Sequence, residues 1–270
     1  AADGNLISGN AQYGVMVYRN STPTDNNRVL NNRIGTNAAG NVAIANTSSG
    51  VFLLNNMVGT FVGNNQISGN TNHGIVIDGV TAGASVRGNL IGTNSAGTGA
   101  LGNGQHGIWV GNSATNITIG GTTVADRNVI CANAESGINF QDLANNNTIT
   151  GNYIGIASNG TTDLGNTFSG IHVRSGATNM TIGGAAAGAG NVISGNNLHG
   201  IAFEGSTTAS IQGNLIGTNA AGTARIGNNS AGIFLQTNGV TIGGNTPAHR
   251  NVISGNNAYG IYIETSFGQG

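Results

Sequence analysis

The chain has 270 residues, of which 48 are Gly and only 6% are charged, and its formal net charge is −1. Its basic residues are all Arg, eight of them with no Lys, which excludes the clustered cations of a broad phosphate-binding surface, so nucleic acid is not an expected partner. No apolar run is long enough to span a bilayer, and the 38% apolar content falls on a regular pattern, which argues against disorder.

The pattern opens at Asn5 with Asn, any residue, Ile. The same phrase returns at Asn32, Asn65, Asn89, Asn128, Asn152, Asn191, Asn214 and Asn251. A second Asn follows five places on in every copy except one, where Ala157 stands. Next along the chain comes Gly, then Ile or Val, then an apolar residue two places later. Its glycines are Gly14, Gly50, Gly74, Gly107, Gly137, Gly170, Gly200, Gly232 and Gly260. A third apolar pair precedes the next Asn, as in Ile117-Thr118-Ile119 and Val240-Thr241-Ile242. Each phrase alternates with the strand period of two. Gly and Asn between them read as turn residues that tolerate positive φ.

The connections alternate strictly. From the second Asn position to the next Gly the distance is 4 in one coil and 13 in the next. Before each first Asn the gap is 3 in one coil and 9 in the next, or 7 from Val58. Every coil therefore has one short and one long corner, and the long one changes corner each time. Repeats of this kind predict an all-β chain forming a right-handed parallel β-helix, a single solenoid domain over 1–270. About nine coils of three short strands, ~4.8 Å apart, make a rod of roughly 43 Å. Ile ladders fill its core and Asn amides stack at the corners. Cys131 takes the place held by Ser8, Ser68, Ser194 and Ser254, and reads as a small core or turn residue without a disulfide partner.

The sequence starts at Ala1 and ends soon after Ile261-Tyr262-Ile263. Solenoids need capped ends. The expectation is a segment of a longer repeat protein, or a rod that associates with itself end to end.

Asn191-Val192-Ile193-Ser194-Gly195-Asn196 and Gly213-Asn214-Leu215-Ile216-Gly217-Thr218-Asn219 resemble the β-helix repeats of the pectate-lyase-like superfamily. They are most similar to the version in glycine-rich bacterial surface proteins. The resemblance implies an extracellular or cell-surface protein. It does not choose a function, because that superfamily holds lyases, hydrolases, epimerases, tailspikes and stalks. The superfamily's enzyme motifs do not carry over. There is no Asp pair, no Asp-Pro-His-Asp and no Lys, and His73-Gly74, His106-Gly107 and His199-Gly200 each lack a preceding Gly.

In the Gly-Ile phrase the residue after Ile points outward. That column reads Met16, Phe52, Val76, Trp109, Asn139, His172, Ala202, Phe234, Tyr262. Two columns flank it, one through Asp78, Gly111, Gln141, Arg174 and Glu204, the other through His73, His106, Ser136, Ser169 and His199. One patch gathers His73, Asp78, His106, Trp109, Glu135, Asn139 and Gln141, with Trp109 as a platform for sugar and amides and carboxylates for its hydroxyls. A second holds His172, Arg174, His199 and Glu204, where Arg174 and Glu204 read as a surface ion pair. No catalytic residues, no metal site and no cofactor are assigned. The reading is a structural or adhesive rod without catalysis. Its alternative is a polysaccharide-binding or polysaccharide-modifying β-helix, lyase-, epimerase- or hydrolase-like, working on this face.

Overall fold

The computed structural model describes residues 4–18, 26–55, 57–174, 176–205 and 207–264. The Asn-x-Ile phrases form two-residue strands, from Leu6–Ile7 to Val252–Ile253, that stack as one nine-stranded parallel sheet in coil order. The Gly-Ile phrases form a second nine-stranded sheet, from Val15–Tyr18 to Ile261–Ile263. The third apolar pairs form an eight-stranded sheet, from Arg28–Leu30 to Val240–Ile242. In the second coil, however, the ladder residue is buried Val62 and not the expected, exposed Val58, so the corner before Asn65 is short and the alternation breaks there. Together they are a right-handed parallel β-helix. Two single 3-10 turns, Val124–Asp126 and Pro247–His249, sit in long corners and were not anticipated.

One apolar cluster runs through the coils. Ile34, Ile67, Ile91, Ile130, Ile154, Ile193 and Ile216 are all fully buried and stack in register. Beside them runs the first Asn ladder. The Nδ2 of Asn5 donates to the Oδ1 of Asn32, and the step repeats through Asn65, Asn89, Asn128, Asn152, Asn191 and Asn214 to Asn251 at 2.9–3.1 Å. Each Oδ1 also accepts the backbone N–H of the preceding coil's Asn, as Asn128 does from Asn89 at 2.9 Å. The second Nδ2 proton reaches a main-chain carbonyl, such as Val86 O from Asn128 at 2.8 Å. A buried amide is thereby satisfied without water.

The second ladder differs from expectation. It runs Asn10, Asn46, Asn70, Asn103, Asn133, Asn166, Asn196, Asn228, Asn256 with Nδ2 to Oδ1 distances of 2.8–3.0 Å. Its members are the Asn four places before each Gly-Ile glycine, not the second Asn of every first phrase. In alternate coils that second Asn caps a loop instead. Asn37 Oδ1 accepts the Val42 amide, Asn94 Oδ1 the Gly99 amide and Asn219 Oδ1 the Ala224 amide. Ala157 breaks the motif harmlessly, because Asn159 Oδ1 takes the Thr161 and Thr162 amides of its loop.

The glycines before Ile also correct the turn reading. None has positive φ. A Cβ on Gly74 would lie 2.6 Å from Gly107 O, 2.9 Å from Ile91 Cγ2 and 3.0 Å from Asn103 Nδ2. Glycine is required there because the backbone runs directly against both ladders.

The alternation of corners has a steric cause. Each long corner after an Asn-x-Ile strand is a small antiparallel hairpin, bridged at Thr36–Ala43, Thr93–Ala100, Ile156–Asp163 and Thr218–Arg225. Its tip bonds the next hairpin two coils on, from Ser95 N–H to Gly40 O, Ser158 N–H to Gly97 O and Ala220 N–H to Gly160 O, each 2.9 Å. The tips already touch at that spacing, so the coil between has no room for another. Cys131 is buried and its Sγ donates to Ile156 O at 3.0 Å, as the Ser68 and Ser194 hydroxyls do to Thr93 O and Thr218 O. Burial pushes its thiol well above the usual range. At the last coil Ile261, Tyr262 and Ile263 are exposed. The expected bare ends and end-to-end contact depend on residues 1–3 and 265–270, which lie outside the described residues.

Asn103→Ala should cost about 3 kcal/mol, because it leaves the Asn70 side-chain and main-chain donors unpaired in the interior. Asn94→Ala, on an exposed loop, should cost no more than about 1 kcal/mol. Urea unfolding of the two variants checks the assignment, and equal costs would contradict it. Ile193→Asp should destabilise more than either, since an unpaired carboxylate would stand in the aliphatic ladder.

Candidate functional site: the Gly-Ile face

The register brings the expected outward column together, with Val76 beside Trp109, Trp109 beside Asn139 and Asn139 beside His172. Pointing outward is not exposure, however. Asn139 is fully buried and His172 only 7% exposed; Gln141 bonds to the first, and Arg174 and Glu204 lie against the second.

Trp109 is half-buried in a particular pose. A Cβ on Gly111 would meet its Cη2 at 2.4 Å and its Cζ2 at 2.6 Å. The six-membered ring of the indole therefore occupies the space over the glycine two residues on that any side chain there would take. In the flanking column Gly111 leaves the gap, between Asp78 of the coil before and Gln141 of the coil after. Asp78 Oδ1 accepts the Asn112 Nδ2 and the Gly79 amide, both at 2.6 Å. Gln141 Nε2 donates to Asp142 Oδ2 at 2.7 Å, and its Oε1 accepts Asn139 Nδ2 at 3.3 Å. Asn112 and Asp142 were not among the expected site residues. Both leave their strand with left-handed backbone, φ 49 and 53, and an Asn or Asp just past the Gly-Ile strand is the signal that would have found them.

To the side runs the histidine column. His73 Nδ1 accepts the His106 amide at 3.3 Å, His106 Nδ1 the Ser136 amide at 3.1 Å, and His199 Nδ1 the Ala231 amide at 3.3 Å. An imidazole accepting at Nδ1 carries its proton on Nε2. His106 Nε2 then donates to Glu135 at 2.8 Å, a bond between neutral imidazole and carboxylate. Burial holds the His73 pKa down at about 4. Burial, with His73, His172 and Arg174 nearby, holds that of His106 at about 3. Glu135 is itself raised by burial, and Arg174 opposes the rise. His73 and His106 stack at 5.4 Å, and His73 tilts against Trp109 at 6.3 Å.

The second expected patch joins the first through Arg174. Its Nε donates to His172 Nε2 at 3.2 Å and lies 3.5 Å from Glu204, which is itself 3.2 Å from the same His172 nitrogen. Arg174 and Glu204 are thus two members of a trio, not a simple pair. Burial lowers the pKa of His172, and Glu204 opposes this. Among the described residues no three His, Cys, Asp or Glu converge as a metal site would need. Three buried polar atoms under this surface have no partner: Ser136 Oγ, Asn139 Oδ1 and Ser169 Oγ. Two concave surfaces lie off this face. One is lined by Arg33, Gln66, Leu90 and Ser95, the other by Thr246, Arg250 and Ile253 near the last coil.

Gly111→Ala should lift the indole. Trp109 is the sole Trp, so its emission should shift to the red and its quenching by iodide rise, with little change in melting temperature. A second outcome concerns acid. The unfolded chain protonates His73 and His106 near 6.5, whereas the fold refuses the proton until about 4 and about 3. Stability from this source is full above 6.5 and falls as pH drops toward 4. His106→Gln should make urea midpoints fall less steeply between pH 7 and 4.

No protein-family model matches this chain, and no curated protein does. Solved structures do. A double mutant of the periplasmic alginate epimerase AlgG is similar over 82% of this chain and 49% of its own, with 15% identity and a TM-score of 0.53. A single mutant of the same protein gives 15% identity over 81% and 51%, with a TM-score of 0.50. The mannuronan C-5 epimerase AlgE6 A-module of Azotobacter vinelandii gives 19% identity over 88% and 63%, with a TM-score of 0.46. This chain spans about half the length of the AlgG structures it matches. At such identity the likeness to the AlgG structures shows the fold alone, a right-handed parallel β-helix.

Proposed function

We propose that this protein is an extracellular β-solenoid whose Gly-Ile face binds a neutral polysaccharide and does not turn it over. The observation that carries the reading is the placement of half-buried Trp109 over Gly111 on the outer face, in space that a side chain there would otherwise fill. The C–H face of a pyranose stacks on such a ring, while its hydroxyls need amides and carboxylates around the rim. Asp78 with Asn112 and Gln141 with Asp142 supply both, one coil to either side.

Charge favours a neutral chain. Asp78, Glu135, Asp142 and Glu204 face one cation, Arg174. A polyuronate such as the alginate named for the AlgG structures would meet net repulsion there. Binding without turnover follows from the imidazoles. The Nδ1 lone pairs of His73, His106 and His199 hold main-chain amides, and His172 Nε2 holds Arg174. A general base needs a free lone pair near the working pH.

Affinity electrophoresis and calorimetry against neutral and acidic polysaccharides test the reading. The expected result is retardation by a neutral glycan, lost in Trp109→Ala at unchanged melting temperature, with no new reducing ends or unsaturated products. Binding indifferent to Trp109, or turnover abolished by His106→Ala or Glu135→Ala, would overturn it.

A further inference from the structure

We infer that the glycan bound at Trp109 carries an acetamido group, as N-acetylhexosamines do, received by Asn139 and Ser136. The inference rests on the glycan-binding reading and narrows its ligand. Asn139 is the strand partner of Trp109 in the next coil, roughly 4.8 Å down the stack. It is fully buried, yet its Oδ1 has no donor. Ser136, 1% exposed and in the same coil, has a hydroxyl with no partner, although its main-chain amide is held by His106. Ser169, one coil further, repeats the unpartnered hydroxyl. An acceptor and hydroxyls buried without partners give up their water for nothing in the free protein.

The match to an acetamido group is one of complementarity. Its N–H supplies the donor that Asn139 Oδ1 lacks. Its C=O accepts from a serine hydroxyl, and its methyl needs apolar surface such as that of Phe168, which is 49% exposed beside Ser169 in sequence. A plain C2 hydroxyl must serve both from one oxygen and brings no methyl, whereas an acetamido group offers its N–H and C=O on opposite sides, the better match to two side chains three residues apart. Asn139 is covered by Gln141, which a 3.3 Å bond holds to it and a 2.7 Å bond ties to exposed Asp142. That half-exposed side chain swings aside more cheaply than anything in the core. A sugar ring on Trp109 would then set its substituent over the uncovered Asn139.

Titration calorimetry of the full chain with chitohexaose and cellohexaose, which share a backbone and differ at C2, tests the assignment. Chitohexaose should bind tighter by roughly tenfold or more, the worth of about one buried hydrogen bond. Asn139→Leu should erase that preference, keep the cellohexaose affinity and leave the melting temperature equal or higher, because an orphaned acceptor is removed. Ser136→Ala should weaken chitohexaose alone. Equal affinity for both sugars, or a preference that survives Asn139→Leu and Ser136→Ala, would overturn the acetamido assignment and leave glycan binding standing. Binding of other neutral glycans but of neither hexaose would do the same. Binding of no neutral glycan would remove the broader reading itself.

Discussion

The structure depends on stacking buried amides without water. Each ladder Asn gives one Nδ2 proton to the next coil and, at most steps, the other to a main-chain carbonyl of the preceding coil. Its Oδ1 takes two protons back. That arrangement closes only when successive coils superimpose at the strand spacing. A shift by one residue would break both ladders along the whole rod and would leave each buried amide unpaired, which is far costlier than any gain from repacking Ile. The Ile core supplies the burial energy, about 1.5–3 kcal/mol per side chain, and the same one-residue slip would turn its ladder outward. The amides make the register unique.

The same constraint separates what was legible in the sequence from what was not. Ladder positions recur in every coil, so Asn-x-Ile and Gly-Ile were readable from spacing alone. The members of the second ladder were not legible from the five-residue spacing, because two sets of Asn compete at that corner. Asn37, Asn94 and Asn219 obey the five-residue spacing but cap hairpins, whereas Asn46, Asn103, Asn166 and Asn228 keep the constant distance to the glycine. Counting backward from Gly would have resolved it. The outward columns followed from the strand period. Burial within them did not, because it depends on which neighbour is long enough to fold over: Gln141 bonds to Asn139, and Trp109 leans over Gly111.

The ladders leave the outer surface free to vary. Along the Gly-Ile face each coil can change its outward residue without touching the core, and the chain uses this freedom unevenly. Rings stack on one another at both ends of the rod, as Tyr13 on Phe52 and His199 on Phe234 do, each 4.7 Å apart. Their faces are spent on each other. Trp109 alone in this column is paired with a glycine two residues on, and it stays half-buried over that gap, with His73 tilted against it. His73, His106 and His199 extend the backbone network: their Nδ1 atoms accept the amides of His106, Ser136 and Ala231.

The most direct test of the central claim is hydrogen exchange of side-chain amides, read by NMR on the assigned Asn residues. The account predicts that Nδ2 protons of Asn89, Asn128, Asn103 and Asn133 exchange as slowly as core-strand main-chain amides, while those of Asn37 and Asn94 exchange freely. Ladder amides exchanging as fast as loop amides would contradict it.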